Sequence, residues 1–195
     1  MSATRFARAL PAGRTHLDQL AEPLAALYAE TDRLDRWGQE LARVLTAGGR
    51  LLAVGNGGSA CQAQHLTAEI VGRYRDDRPP YAAIALCTET SALTAIGNDY
   101  GFEELFARQV RGHGREGDVL IALSTSGRSP NIVSAVEAGN QAGLITYALT
   151  GPAPNPLVDV AEDAVCIEAP HTATVQELHL VAIHLVCAAF DTEIG

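Results

Sequence analysis

His65 and Glu69 stand four residues apart in Cys61-Gln62-Ala63-Gln64-His65-Leu66-Thr67-Ala68-Glu69. At that spacing an imidazole and a carboxylate share one helix face. Towards the C-terminus, Gln176 and His184 are eight apart, two turns or about 12 Å of rise, so each must reach inward to meet at one point. Together the four supply two imidazoles, a carboxylate and an amide oxygen, a donor set that suits a zinc-like ion. Each also has a plainer reading. His65 and Glu69 can be a surface i,i+4 pair, and His184 can be a histidine within the Leu/Val/Ile face of a core helix.

The elements around these residues favour chemistry over the plainer readings. The helix of His65 and Glu69 follows an apolar strand, Leu51-Leu52-Ala53-Val54, and the turn Gly55-Asn56-Gly57-Gly58-Ser59-Ala60. A strand emptying through glycines into a helix N-terminus makes a phosphate cradle. The turn satisfies G-x-G-x-x-A, the dinucleotide fingerprint. However, the first acidic residue after the next strand, Glu89, lies about 30 positions on, where a ribose-binding acid is expected at about 20. No G-x-x-x-x-G-K-[ST] sequence is present either.

A second loop explains more. Leu123-Ser124-Thr125-Ser126-Gly127-Arg128-Ser129-Pro130-Asn131 follows another apolar strand. Ser129 suits a helix N-cap and Pro130 the first helical position. The hydroxyls of Ser124, Thr125, Ser126 and Ser129 at a helix N-terminus form a compact pocket for one phosphate group, although any one of them alone would read as a cap. One monophosphate fits the two loops better than a dinucleotide. Asn98 and Asp99 are the remaining polar candidates, for sugar hydroxyls, with an ordinary Asn-Asp turn as the alternative. Thr174 and Glu177 read as a capping box, which gives Glu177 a structural role.

The elements needed to hold these residues are legible. Leu17, Leu20, Leu24, Leu27, Leu34, Trp37, Leu41, Val44 and Leu45 recur at helical steps over residues 15–47, with Pro23 expected to start or kink a helix and Gly48-Gly49 closing the region. Strand-length apolar runs then appear at 50–55, 81–87, 118–123, 144–149 and 163–167. Helical segments alternate with them at 58–73, 90–98 with 102–112, 129–142, 156–161 and 173–193. This predicts an α/β three-layer sandwich, a five-stranded parallel sheet covered on both faces. Residues 1–14 read as a loose, flexible tail, and 15–195 as one domain. The two N-terminal helical segments are suited to packing on a second copy of the chain.

Composition narrows the function classes. The 195 residues carry a formal charge of −9, with no Lys/Arg run, which argues against a nucleic-acid surface. A phosphate must therefore be held by local amides against an unfavourable overall field. Cys61, Cys87, Cys166 and Cys187 are scattered without a CxxC pair, the pattern of reduced thiols. The N-terminus lacks the continuous apolar stretch of a secretory signal, and the longest apolar run, 180–190, is too short to span a bilayer. The expectation is a cytoplasmic protein with no membrane partner.

The joint occurrence of Gly55-Asn56-Gly57-Gly58-Ser59, His65 to Glu69, Ala95-Ile96-Gly97-Asn98-Asp99-Tyr100-Gly101-Phe102, Ser124-Thr125-Ser126-Gly127 and Gln176-Glu177-Leu178-His179 to His184, in this order, resembles the sugar isomerase (SIS) domain family. Within it the chain is most similar to the sedoheptulose 7-phosphate isomerases, or phosphoheptose isomerases, from about residue 15 to the C-terminus. The resemblance implies a flavodoxin-like core, a homotetramer with active sites at subunit interfaces, and one zinc per subunit held by His65, Glu69, Gln176 and His184. It implies sugar-phosphate contacts from Asn56, Gly57, Gly58, Ser59, Glu69, Asn98, Asp99, Ser124, Thr125, Ser126, Ser129 and Gln176, and a catalytic pair of Glu69 and His184. The implied reaction turns sedoheptulose 7-phosphate into D-glycero-D-manno-heptose 7-phosphate through an enediol, for heptose biosynthesis. Three positions depart from the family pattern: Arg128 stands where Asn is frequent, Gln62 where Asp is frequent, and Ala173 where some members have Asp. The alternative is a non-catalytic relative, a sugar-phosphate sensor or an adaptor binding a replication initiator. Such relatives lack parts of the Glu/His set, which this chain retains whole.

Overall fold

The computed structural model describes residues 12–195. It begins with helix α1 (Ala12–Leu27), one 3-10 turn (Tyr28–Glu30) and α2 (Thr31–Thr46). Then come β1 (Leu51–Gly55), α3 (Gly58–Val71), β2 (Ala83–Ala85), α4 (Thr90–Tyr100) and α5 (Glu104–His113). The chain continues through β3 (Val119–Ser124), α6 (Pro130–Gln141), β4 (Ile145–Thr150), α7 (Pro156–Val160) and β5 (Asp163–Cys166), and ends in α8 (Thr172–Ile194). The tail expected over 1–14 lies outside the described residues as far as residue 11. Ala12, Gly13 and Arg14 belong to α1.

All five strands are parallel, in the order β2-β1-β3-β4-β5. Every residue of β1 and β3 is buried, because helices cover both faces. Successive side chains alternate between two cores. Leu51, Ala53, Val119, Ile121 and Leu123 face the layer of α2, α3 and α8, whereas Leu52, Val54, Leu120 and Ala122 face α4 to α7. The order places the topological switch between β1 and β3, so the turns leaving their C-terminal ends flank one crevice. β2 is shorter than the expected 81–87: it is an edge strand, entered through Pro79-Pro80, and only Ala83–Ala85 pair with β1.

One further expectation is narrowed and another corrected. Pro23 does not start its helix, because α1 runs through it for another turn, which leaves the kink as the expected role. Inside a helix proline forfeits the hydrogen bond of its missing N–H, and its ring crowds the carbonyl four residues earlier. The capping box at Thr174 does not form: α8 begins at Thr172 with His171 as N-cap, Thr174 is already helical, and its buried Oγ1 takes no hydrogen bond. Glu177 instead accepts a 2.9 Å hydrogen bond from Nε2 of His16, tying α8 to α1. α8 is long and apolar enough to cross a membrane. Its buried Leu178, Ala182, Ile183, Val186 and Phe190 explain that composition as the central helix of the core.

Candidate active site

The first wall of the crevice is the β1–α3 turn. A Cβ at Gly55 would overlap the carbonyl of Ser59, so the strand can pass this close to the helix only with glycine there. Gly57, at φ +54°, occupies backbone space that other residues avoid. A Cβ on Gly58 would overlap the side-chain amide of Gln176, which lies against that glycine. In the first turn of α3 the Ser59, Ala60 and Cys61 N–H groups turn back to the Asn56 and Gly57 carbonyls, so Gly58 carries the backbone N–H left for a ligand.

The second wall is the β3–α6 turn. Gly127 N donates to Ser124 O at 3.1 Å, closing a tight turn, and Gly127 itself has φ +61°. A Cβ there would strike Asn155 and Thr150, which support the turn from below. Ser129 is the N-cap of α6 and Pro130 its first residue, as the sequence predicts. The Ser129 hydroxyl, however, makes no capping bond and lies 3.4 Å from Ser124 Oγ. The Ser124 and Ser129 hydroxyls thus meet at the helix end, while Ser126 Oγ accepts from Arg128 N at 3.2 Å. The exposed Arg128 guanidinium donates to Pro154 O at 3.3 Å.

The two walls are joined. The Asn56 and Asn131 side-chain amides exchange two hydrogen bonds, each 2.9 Å. Asn131 is fully buried, and the sequence reading passed over it. Asn98 and Asp99 sit in the exposed last turn of α4, not in a loop, with Asn98 Nδ2 donating to Asp99 Oδ1 at 2.8 Å. An open recess of about 470 Å³, lined by Gly55, Asn56, Gly57, Cys87, Gly97 and Phe102, separates α4 from the first turn.

His65, Glu69 and His184 come together farther along α3. Nε2 of His65 lies 3.0 Å from Nε2 of His184 and 3.3 Å from Oε1 of Glu69. Donor atoms of all three fall within 4.8 Å of one another, and each residue is partly buried. Two imidazole nitrogens this close must be donor and acceptor to each other, or must share a cation. Tetrahedral zinc with nitrogen ligands at about 2.0–2.1 Å needs donor–donor edges of about 3.3 Å, so the trio fits such an ion. Burial pushes the His184 imidazole below the usual histidine range. The charge of His65 adds to this and Glu69 opposes it. This shift favours the neutral ring, whose free electron pair suits a metal. Tyr74, from the loop after α3, packs on His184 with ring centroids 5.4 Å apart. That loop, Arg73 to Pro80, was not singled out from the sequence, although its density of charged residues was a signal.

Gln176 is placed at the cradle, by its amide against Gly58 and by a hydrogen bond from Gln62 Nε2 to its backbone carbonyl. This gives Gln62 a role in joining α3 to α8. An aspartate there, with no donor when ionised, could not make that bond. A wider recess of about 700 Å³, lined by Arg36, Trp37, Glu40, Tyr147 and Glu162 among others, lies at the opposite, N-terminal end of the strands. Among the described residues its charged lining brings together no metal-binding group like the trio, and Trp37 stacked flat on Tyr147 at 4.5 Å forms part of it.

Two phosphate-sized turns at a switch point, beside a His/Glu/His cluster able to bind a metal, define a class: a parallel α/β protein that binds a phosphorylated small molecule and can act on it. The SIS domain matches residues 15–151, more than half of the chain, and the chain belongs to the SIS domain family. It is 63% identical over 176 residues to the phosphoheptose isomerase of Streptomyces coelicolor, covering 90% of this chain and 76% of that one. The structure of a phosphoheptose isomerase from Neisseria gonorrhoeae superposes with a TM-score of 0.84 at 38% identity, over 92% of this chain and 97% of that one. One from Francisella tularensis gives 0.86 at 31% identity, over 92% and 96%.

Proposed function

We propose that the protein is a ketose–aldose isomerase that converts sedoheptulose 7-phosphate to D-glycero-D-manno-heptose 7-phosphate, the step its phosphoheptose isomerase relatives are named for, in heptose biosynthesis. The observation that carries this reading is the convergence of His65, Glu69 and His184 beside two turns built for one phosphate group.

In this reading Ser124, Thr125, Ser126 and Ser129 hold the terminal phosphate with the α6 amides. Gly57, Gly58 and Ser59 let the sugar approach the backbone, with Asn56, Asn98, Asp99 and Gln176 around its hydroxyls. The anchored phosphate fixes the carbonyl end of the substrate at the trio, which converts encounter into orientation. Glu69 faces His65 through Oε1, leaving Oε2 to take a proton from the carbon beside the carbonyl and return it to its neighbour through an enediol. The His184 ring, with Nε2 turned to His65, exchanges protons with the two oxygens through Nδ1. His65, Glu69 and His184 would hold one zinc, with the Gln176 amide as a further ligand, and the ion would polarise the carbonyl as a Lewis acid.

Residues 15–195 act as one SIS domain. Leu17, Leu24 and Tyr28, 66%, 48% and 80% exposed, follow one another at helical spacing along α1 and its continuing turn. This apolar stripe suits packing against other copies in a tetramer. All four cysteines are free, in keeping with the cytoplasm. Incubation with sedoheptulose 7-phosphate followed by sugar analysis tests the function. An aldoheptose 7-phosphate product supports it, and recovery of unchanged ketose refutes it. The adaptor reading draws no support from a complete trio.

A further inference from the structure

Two ties join α3 to α8, and they bracket the trio. The first is the Gln62 hydrogen bond to the Gln176 carbonyl. The second is Arg78, in the loop between α3 and β2. Its Nη2 donates to the Glu69 carbonyl at 2.6 Å, and Nη1 donates to the Ile70 carbonyl at 2.9 Å and the Pro79 carbonyl at 3.2 Å. Its Nε donates to Oδ1 of Asp191 at 2.8 Å. The last carbonyls of a helix have no partner within it, and a cation there also complements the helix dipole. Only 8% of the Arg78 side chain is exposed, and the guanidinium lies 5.1 Å from the Phe190 ring centroid and 5.7 Å from that of Tyr81. Asp191 follows His184 by seven residues on α8, two turns along the same face. A chain of short contacts therefore runs from the Glu69 backbone through Arg78 and Asp191 to the helix that carries His184.

We propose that Arg78 is a positioning residue for the catalytic centre: by bolting the end of α3 to α8 it sets the gap between His65 and Glu69 on one helix and His184 on the other. It touches neither substrate nor metal. Its guanidinium meets the carbonyl of Glu69, not the carboxylate. Metal–ligand distances fall within about 0.2 Å of their usual values, so loosening this bolt degrades the metal site while leaving the phosphate turns intact. The inference rests on the isomerase reading above.

Arg78→Met, Arg78→Lys and the double variant Arg78→Met/Asp191→Leu test it. The double variant leaves no unpaired charge buried, and apolar replacement of a buried ion pair is commonly tolerated. The readouts are zinc affinity by competition with a chromophoric chelator, kcat and KM for sedoheptulose 7-phosphate, and Tm. We expect the folded double variant to lose zinc affinity by about tenfold or more, the range for residues that orient metal ligands. Its kcat is expected to fall with zinc affinity while KM stays within about twofold of wild type, and Arg78→Lys should recover part of both losses. A double variant that binds zinc and turns over like wild type overturns the proposal, whatever its Tm. So does a rise in KM at unchanged kcat. Should Arg78→Met not fold, the double variant decides. If the wild-type protein fails to isomerise the sugar, the function reading falls, and the zinc affinities alone still judge Arg78.

Discussion

Asn56 and Asn131 exchange both side-chain hydrogen bonds across the crevice, 2.9 Å each way, and so lock the first turn of one phosphate wall to the first turn of the other. The pair fixes the width of the opening between β1 and β3 before any ligand arrives. Asn131→Leu keeps the volume and removes both bonds. We expect it to destabilise the fold by about 1–3 kcal/mol, the cost of stranding a polar partner. It should raise KM for the sugar phosphate about tenfold while changing kcat less. Urea titration and steady-state kinetics measure the two effects.

Gly58 and Gln176 occupy complementary space, since a Cβ on Gly58 would lie 2.5 Å from the Gln176 amide carbon. Gly58→Ala is therefore expected to push aside that amide, the far end of a flexible side chain, with little loss of stability, and to weaken sugar-phosphate binding by displacing it. Gln176→Ala vacates the site, so the double variant should be more stable than the sum of the two single changes predicts. A double-mutant cycle on unfolding free energies reads the coupling directly.

His179 is fully buried, and its Nε2 donates to the Thr150 carbonyl at 3.1 Å. Burial pushes its pKa down to about 4. In the unfolded chain the same imidazole titrates near 6.5, so below that pH the unfolded state binds the extra proton and the folded state does not. The contribution is complete above pH 6.5 and is lost progressively as pH falls to about 4, by about 3 kcal/mol in all. His179→Gln should flatten the pH dependence of stability within that window relative to wild type. Parallel urea titrations at pH 7 and pH 5 check it.

The trio predicts metal dependence. Stripping the protein with a strong chelator should abolish turnover, and zinc should restore it. His65→Ala should weaken zinc binding by more than the roughly hundredfold that losing an outer-shell partner costs, because it removes the nitrogen that faces both other donors. Chelator competition monitored by absorbance gives the affinities.

Much of this was legible in the residues. The alternating apolar runs fixed a five-stranded parallel sheet, because strands buried on both faces carry no polar alternation. Ser124 to Ser129 and His65 to Glu69 were readable because each group is local in sequence. The missed features are long-range or depend on detail that spacing does not carry. Asn131 looks like any residue in a helix's first turn until Asn56 is brought opposite it. Arg78 gains meaning only when Asp191, 113 positions away, folds beside it. The capping box at Thr174 failed because α8 starts three residues earlier than the motif implies, with His171 as N-cap. Gln176 needed the packing of α8 on α3 to place its amide against Gly58.

The central claim is that Glu69 moves the proton. Glu69→Gln keeps the shape of the side chain and removes its basicity. Turnover of sedoheptulose 7-phosphate by this variant, measured at confirmed zinc occupancy and alongside calorimetric binding of the same sugar, tests that claim most directly. The account predicts binding close to wild type with kcat reduced by about a thousandfold or more. Near-normal turnover by zinc-loaded Glu69→Gln would contradict it.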